Sequence, residues 1–533
     1  MINSGVFVNG KIFTSSDAMP YAEAMVIEGG VIKWIGKSDE LPESDFPVTD
    51  LDGRRVMPGL VDAHMHAGML AEQSSQIACL PPNMFSIEEL ITEIKSVRQN
   101  QGRSKWIQGW GYDEGKMREK RIITRYDLDR ACDDAPVVIM RTCAHILIVN
   151  SAALELAGIS RNTPDPQGGQ IDRDESGEPT GILRENAKEL ISRIMPVMSD
   201  EEMVSNILDI GRLLASQGIT SATDMGSLEG KDHYANFKKA EAAGFKQRMG
   251  LYYIWDFFRD NCDVLSEGLK TCSSDKIRIA GLKLIGDGSV SGRTAWMDRP
   301  YRGSENEYGM PVYSDDLVES AIEFCKENRC QLAVHAMGAR AVKRIVDRVC
   351  REECWTDNGV PFARVEHVTD PMEESIEKAA GKGIYFVTQP NFFYAEIESY
   401  IMNLGFPWIK KTYPVKHMLE KGVKVALSTD APATAWAIPS DPWTCIRAAV
   451  TRKAYDGTDC GKGEAVDIET AVRLYTKCSA EAAGFKETGQ LKAGFQADFI
   501  ILENDILEEN PAETDELKVL RTYIGGECVY MRK

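Results

Sequence analysis

Near its start the chain alternates apolar and polar positions in short runs. "VFVNGKIFT" and "AMVIEGGVIKWIG" are broken by Asn-Gly and Gly-Gly, which favour hairpin turns. The far end has the same texture in "GQLKAGFQADFIILEND" and "LRTYIGGECVYM". Both ends are therefore predicted to be β. Between them the pattern changes to apolar, β-branched runs separated by helix-like stretches. "VMPGLVDAHMH" reads as the first strand. "EEMVSNILDIGRLLASQGITSATDMG" reads as an amphipathic helix and then a strand. "RMGLYYIWDF", "IRIAGLKLIGDGS", "CQLAVHAMG", "ARVEHVT", "IYFVTQPNF" and "VKVALSTDAP" follow. Such runs suit parallel strands buried on both faces, and eight of them in βα order suggest a closed barrel. The stretch from Leu60 to Asp430 exceeds the ~250 residues of a typical barrel. Most of the excess precedes the helix that begins near Ser199, so an inserted domain is expected at 75–198, with turn-rich segments such as "NTPDPQGGQIDRDESGEPTG".

Composition narrows the class. The 533 residues are 43% apolar and 27% charged, as in a globular protein with a large core. A net charge of −19 argues against nucleic-acid or anionic-membrane partners, which need a positive surface. No secretory signal and no membrane-spanning apolar run is seen. The 13 cysteines are scattered without a CxxC, as free thiols of a cytoplasmic enzyme would be.

The candidate chemistry sits where the predicted strands stop. His64 and His66 end the first, Lys283 lies on the fourth, His335 ends the fifth, His367 the sixth, and Asp430 the eighth. The carboxyl ends of barrel strands converge on one mouth, and residues i and i+2 of a strand point the same way. His64 and His66 can thus reach one ion together. Four imidazoles and a carboxylate suit Zn²⁺ and related divalent metals. A buried ammonium beside a metal should lose its proton, and the neutral amine of Lys283 can add CO₂ to become an anionic, bridging carbamate. A lone strand-end histidine is usually a satisfied core or loop residue, whereas five ligands and a lysine in register are hard to reach by chance. His233 and His417 lie in polar, helix-like contexts and are expected at the surface. His145, in the insertion, is a candidate for the pocket lining.

These residues carry a resemblance. "MPGLVDAHMH", "GWGYDE", "HILIVNSAALELAGI", "LKLIGDGS", "VHAMGARAV", "RVEHV", "LSTDAP" and "GQLKAGFQADFIIL" resemble the amidohydrolase superfamily, in its YtcJ-like branch with the N-substituted formamide deformylases. The resemblance implies an α/β fold: a distorted (β/α)8 TIM barrel (58–74 and 199–484), a small β-sandwich formed by both chain ends (1–57 and 485–533), and an inserted α+β domain (75–198) covering the active site. It implies two divalent metal ions. His64 and His66 would hold the more buried one, His335 and His367 the other, with carbamylated Lys283 between them. Asp430 would touch the buried ion and act as general base. It also implies a homodimer or larger assembly. One departure is "AGML" after the HxH, where branch members often carry another polar residue; the pocket floor is more apolar here.

A bridging hydroxide, formed because metal lowers the pKa of water from 15.7 to roughly 7, would attack a carbonyl while Asp430 moves the proton to the leaving nitrogen. The leading reading is hydrolysis of the C–N bond of an N-acyl or N-formyl amine, a small-molecule substrate. Trp110, Tyr112, Phe392, Phe393, Tyr394 and Trp436 could wall an aromatic pocket, or pack the insertion instead; Arg293 could hold a substrate carboxylate, or an Asp or Glu nearby. The alternatives are a deaminase, an esterase or lactonase, and an assembly protein that kept the barrel without the chemistry. "HAMG" lacks the acidic proton shuttle of the deaminases, and no ligand is missing.

Overall fold

The computed structural model describes residues 3–101, 105–142, 145–227, 230–271, 276–357, 359–514 and 516–533. The chain forms two compact units, one of residues 1–70, 207–434 and 440–533, the other of 71–206 and 435–439.

The first unit holds an eight-stranded parallel sheet. Its strands are β1 (Leu60–Met65), β2 (Ile219–Asp224), β3 (Arg248–Ile254), β4 (Ile277–Ile285), β5 (Gln331–Ala336), β6 (Ala363–His367), β7 (Tyr385–Thr388) and β8 (Lys424–Leu427). They pair in chain order from β1 to β8. Every residue of β1 and β2 is buried, as expected of strands covered on both faces. Past the strand ends the ring closes: the Asp430 amide donates to the His64 carbonyl at 2.8 Å, and the His66 amide to the Ala431 carbonyl at 2.6 Å.

Helices separate the strands. Ala339–Val349 is representative: Ala339, Val342, Ile345, Val346 and Val349 are buried at spacings of three and four, while its basic residues stay outside that stripe. Glu373–Lys382 stops at Gly383, whose φ of +71° is the left-handed conformation that ends a helix. No helix among the described residues is long and apolar enough to cross a membrane.

The sequence run "VMPGLVDAHMH" is not one strand. Arg55–Pro58 belongs to a different sheet, and β1 starts at Leu60. Gly59 makes the junction; a Cβ there would stand 2.3 Å from the Thr220 side chain. Arg55–Pro58 pairs antiparallel with Phe499–Leu502, so the two ends of the chain meet in one sheet. That six-stranded sheet faces a four-stranded sheet built from Gly5–Val8, Ala24–Glu28, Val31–Gly36 and Val48–Asp50. Phe7 packs edge-on against Phe499 and Tyr523 across the gap, at 5.1 and 5.6 Å between ring centroids. This is a small β-sandwich with its own apolar core.

The second unit has a six-stranded mixed sheet with helix Ile87–Asn100. Ile87, Leu90, Ile91 and Ile94 of the helix share a core with Ile107, Val137, Ile139 and Ile148 of the sheet.

Candidate metal centre

The barrel brings six of the predicted residues together. His64 and His66 occupy alternate positions at the end of β1 and are buried. The parallel register sets Lys283 beside Ile254, His335 beside Ile285, and His367 beside Ala336, so the ligand-bearing ends are nearly level. Lys283 Nζ lies 3.4 Å from His64 Nε2. Asp430 Oδ1 lies 3.2 Å from His64 Nε2 and 3.4 Å from His66 Nε2. Ring centroids are 4.8 Å apart for His64 and His367, and 4.3 Å for His335 and His367. Ligand atoms of His64, His367 and Asp430 all fall within 4.8 Å of one another.

Backbone conformation contributes. His367 has φ +75° and Val368 +44°, left-handed values that cost non-glycine residues of order 1–3 kcal/mol and are retained where surroundings enforce them. The turn breaks the strict alternation of β6. Consecutive residues Glu366 and His367 both reach His64, the first by hydrogen bond and the second ring to ring. Asp430, at φ +58°, is turned in the same way just past β8.

Each imidazole has one nitrogen committed to an acceptor. His64 Nδ1 donates to Glu366 Oε2 at 2.6 Å, His66 Nδ1 to the Gly226 carbonyl at 2.6 Å, and His367 Nδ1 to Gln389 Oε1 at 2.9 Å. His335 donates through Nε2 to the Gly288 carbonyl at 3.0 Å. Such partners fix the tautomer and present the other nitrogen as a lone pair. Asp430 Oδ1 is buried and accepts no hydrogen bond among the described residues, although two imidazole nitrogens face it. Lone pairs and an anionic oxygen that converge in this way repel each other unless a positive charge sits between them. The nitrogen and oxygen donors fit a divalent transition metal ion.

Electrostatics follow from burial. Burial lowers the pKa of Lys283 to about 8. Burial, with Lys283 nearby, brings His335 down to about 4, and His367 is lowered by burial and His335. For His66 burial opposes the charged form, but Asp430 outweighs it and the pKa rises. Burial would raise Asp430, yet His64, His66 and His367 hold it well below the usual carboxylate range. The lowered His335 and His367 rings, a depressed amine and an ionised carboxylate favour the protonation states that bind metal.

Several residues of the site escaped the reading of the sequence. Glu366 and Arg364 face inward on β6; Arg364 Nε donates to Glu366 Oε1 at 2.5 Å and Nη2 to Oε2 at 2.9 Å, with both side chains fully buried. Asp62 accepts from Thr429 Oγ1 at 2.6 Å and Tyr475 Oη at 2.7 Å, tying β1 to the segment after β8. Asp287 accepts from the amides of Trp296, Met337 and Gly338, at 2.8 to 2.9 Å, and burial raises its pKa to about 7. Two charges in "ARVEH", on a strand buried on both faces, were the available signal for the first pair.

The remaining candidates have varied surroundings. Arg293, for which a substrate carboxylate or a nearby Asp or Glu was open, takes the second course: its guanidinium donates to Glu307, at 2.6 and 3.0 Å, and stacks over Tyr301. Tyr394 packs against the cluster around Phe393 and Tyr413, while Phe392 does reach the centre, 5.9 Å from the His367 ring. Trp110, Tyr112, His145 and Trp436 belong to the second unit. There Tyr112 is buried and donates to the Arg121 carbonyl at 2.8 Å, and exposed His145 donates to Glu185 at 2.9 Å. His233 corrects an expectation: it is buried, its ring lying where a Cβ on Gly68 would be. His417 is half-buried and bonded to Glu373 at 2.7 Å.

Comparison with known proteins agrees with this geometry. Residues 47–530 match the amidohydrolase family model. The chain is 31% identical to the putative amidohydrolase YtcJ of Bacillus subtilis over 546 residues, covering 98% of this chain and 99% of that one. It is 29% identical to the N-substituted formamide deformylase of Arthrobacter pascens, covering 99% and 98%. Its fold matches the crystal structure of an uncharacterized metal-dependent hydrolase from Pyrococcus furiosus with a TM-score of 0.74 and 28% identity, over 95% of this chain and 100% of that one. The protein belongs to the amidohydrolase family, and is a hydrolase with a TIM-barrel core.

Proposed function

We propose that this enzyme cleaves the C–N bond of an N-acyl or N-formyl amine with two divalent ions, zinc by the donor set, held at the barrel mouth. The buried, unpartnered Oδ1 of Asp430 between His64 and His66 is the observation that carries this reading. His64, His66 and Asp430 would hold one ion, and His335 and His367 the other. Lys283 would add an anionic ligand as a carbamate: its neutral amine would form an N–C bond with CO₂ and release a proton to solvent. The depressed pKa and the 3.4 Å approach to His64 support that role. When bound, the ions supply Lewis acidity to the carbonyl and lower the pKa of water from 15.7 to about 7.

Asp430 is placed to take a proton from the attacking water and return it to the leaving nitrogen. No serine or cysteine nucleophile is required. Phe392 beside His367 gives the mouth an apolar wall suited to an uncharged N-substituent. The relative from Arthrobacter pascens, by its name, acts on N-substituted formamides, which makes these the first substrates to try. The described cysteines are free thiols, and we place the enzyme in the cytoplasm.

The test is a hydrolysis screen of formamides, N-acyl amines, esters and lactones with zinc-loaded protein of measured metal content. Formamide or amide turnover with about two ions per chain supports the reading. Ester or lactone turnover alone, or ammonia release with one ion from an aminated ring, moves the enzyme to another class.

A further inference from the structure

We infer that Glu366, clamped by Arg364, is the positioning residue that aims His64 Nε2 at its metal ion and tightens the grip of that ion. The inference rests on the metal reading above. The other three imidazoles donate to neutral oxygens, namely the Gly226 and Gly288 carbonyls and the Gln389 amide. His64 alone among them donates to a carboxylate, at 2.6 Å. A charged acceptor raises the basicity of the opposite ring nitrogen more than a neutral one does, and carboxylate–histidine–metal arrangements are worth 10–100-fold in metal affinity.

The carboxylate is itself constrained. Both oxygens of Glu366 accept from Arg364, in a forked pair with no exposure of either side chain. Arg364 Nη2 also donates to the carbonyl of Ala63, the residue before His64. The guanidinium therefore binds the backbone of β1 next to the ligand and, through Glu366, the ring of the ligand. One strand supplies the clamp and, at its next position, the ligand His367.

Two roles are to be separated: pairing with Arg364 for the fold, and aiming His64. Glu366→Asp keeps the charge for Arg364 but withdraws the carboxylate from His64. Zinc-loaded wild-type and variant chains are titrated with a chromophoric chelator, with circular dichroism and thermal melting as controls. The expected result is a folded Glu366→Asp chain that gives up one ion at 10–100-fold lower chelator concentration, the second ion being unchanged. A folded variant that keeps wild-type affinity for both ions overturns the inference. If Glu366→Asp does not fold, the double variant Arg364→Met/Glu366→Gln, which removes both charges together, is titrated with the same expectation. If neither chain folds, the pair serves the fold and the inference is overturned as well. Wild-type protein that binds no zinc fails the metal reading itself, a result distinct from all of these.

Discussion

Asp430 meets His64 at two points: its amide donates to the His64 carbonyl at 2.8 Å, and its carboxylate stands 3.2 Å from the His64 Nε2. The main-chain bond sets where the side chain begins and so fixes the distance between carboxylate and ring. Asp62 reinforces it, accepting from the Thr429 hydroxyl one residue upstream. A carboxylate held this way keeps its position without reorganisation.

Asp430→Asn keeps the volume and the main-chain bond while removing the negative charge and most of the proton affinity. Turnover should fall by about 10²–10⁴-fold, the usual contribution of a positioned acid–base group, with metal still bound. Steady-state kinetics beside metal analysis checks this. Near-normal turnover would remove Asp430 from the proton transfer.

Lys283→Met retains the length of the side chain and its burial but cannot take up CO₂. On the proposed reading the variant should hold about one ion fewer than the parent, because it lacks a ligand of the pair. Wild-type protein prepared in ¹³C-labelled bicarbonate should show a bound carbamate carbon by NMR that Lys283→Met lacks. Absence of that signal from an active, metal-loaded parent would make Lys283 a plain amine.

The strand-end residues were legible because a parallel barrel converts sequence position into spatial position: a histidine that closes an apolar run lies at the mouth. Glu366 was hidden by the same rule. Alternation puts it on the face opposite His367, and only the left-handed backbone at His367 brings both inward. Arg293 was ambiguous because its partner Glu307 is fourteen positions away in a loop, with no periodicity to reveal the pairing. Burial of His233 depends on the absent side chain of Gly68, a contact between distant segments. The split of "VMPGLVDAHMH" turns on Gly59, which apolar patterning cannot distinguish from a residue inside a strand.

Gly281 lies on β4 two positions before Lys283, and a Cβ there would stand 2.1 Å from the carbonyl oxygen of Gln331 on β5. The obstacle is backbone, so no rotamer change relieves it. Gly281→Ala should destabilise the first unit by about 1–3 kcal/mol, as overpacking does, and shift β4 under Lys283. Denaturant unfolding reads the first effect and zinc content the second. Wild-type values for both would mean that β4 and β5 separate there without cost.

Lys276 provides a pH test away from the metal ligands. Burial, with Arg248 next in size, lowers its pKa from 10.5 to about 8, and the pull of Glu241 and Asp498 in the other direction is smaller. Among the described residues its ammonium donates to the Phe245 carbonyl, at 3.4 Å. As pH rises past 8 the folded chain releases this proton first, while the unfolded chain keeps it up to 10.5. In that window the unfolded state binds more protons, so the Lys276 contribution to stability rises with pH. Below pH 8 both states carry the charge and the burial penalty applies in full. Lys276→Met should therefore unfold at higher denaturant concentration than the parent at pH 7, and this advantage should shrink between pH 8 and 10.5. A midpoint difference that stays constant across that range would show that the Lys276 amine is solvated in the folded chain.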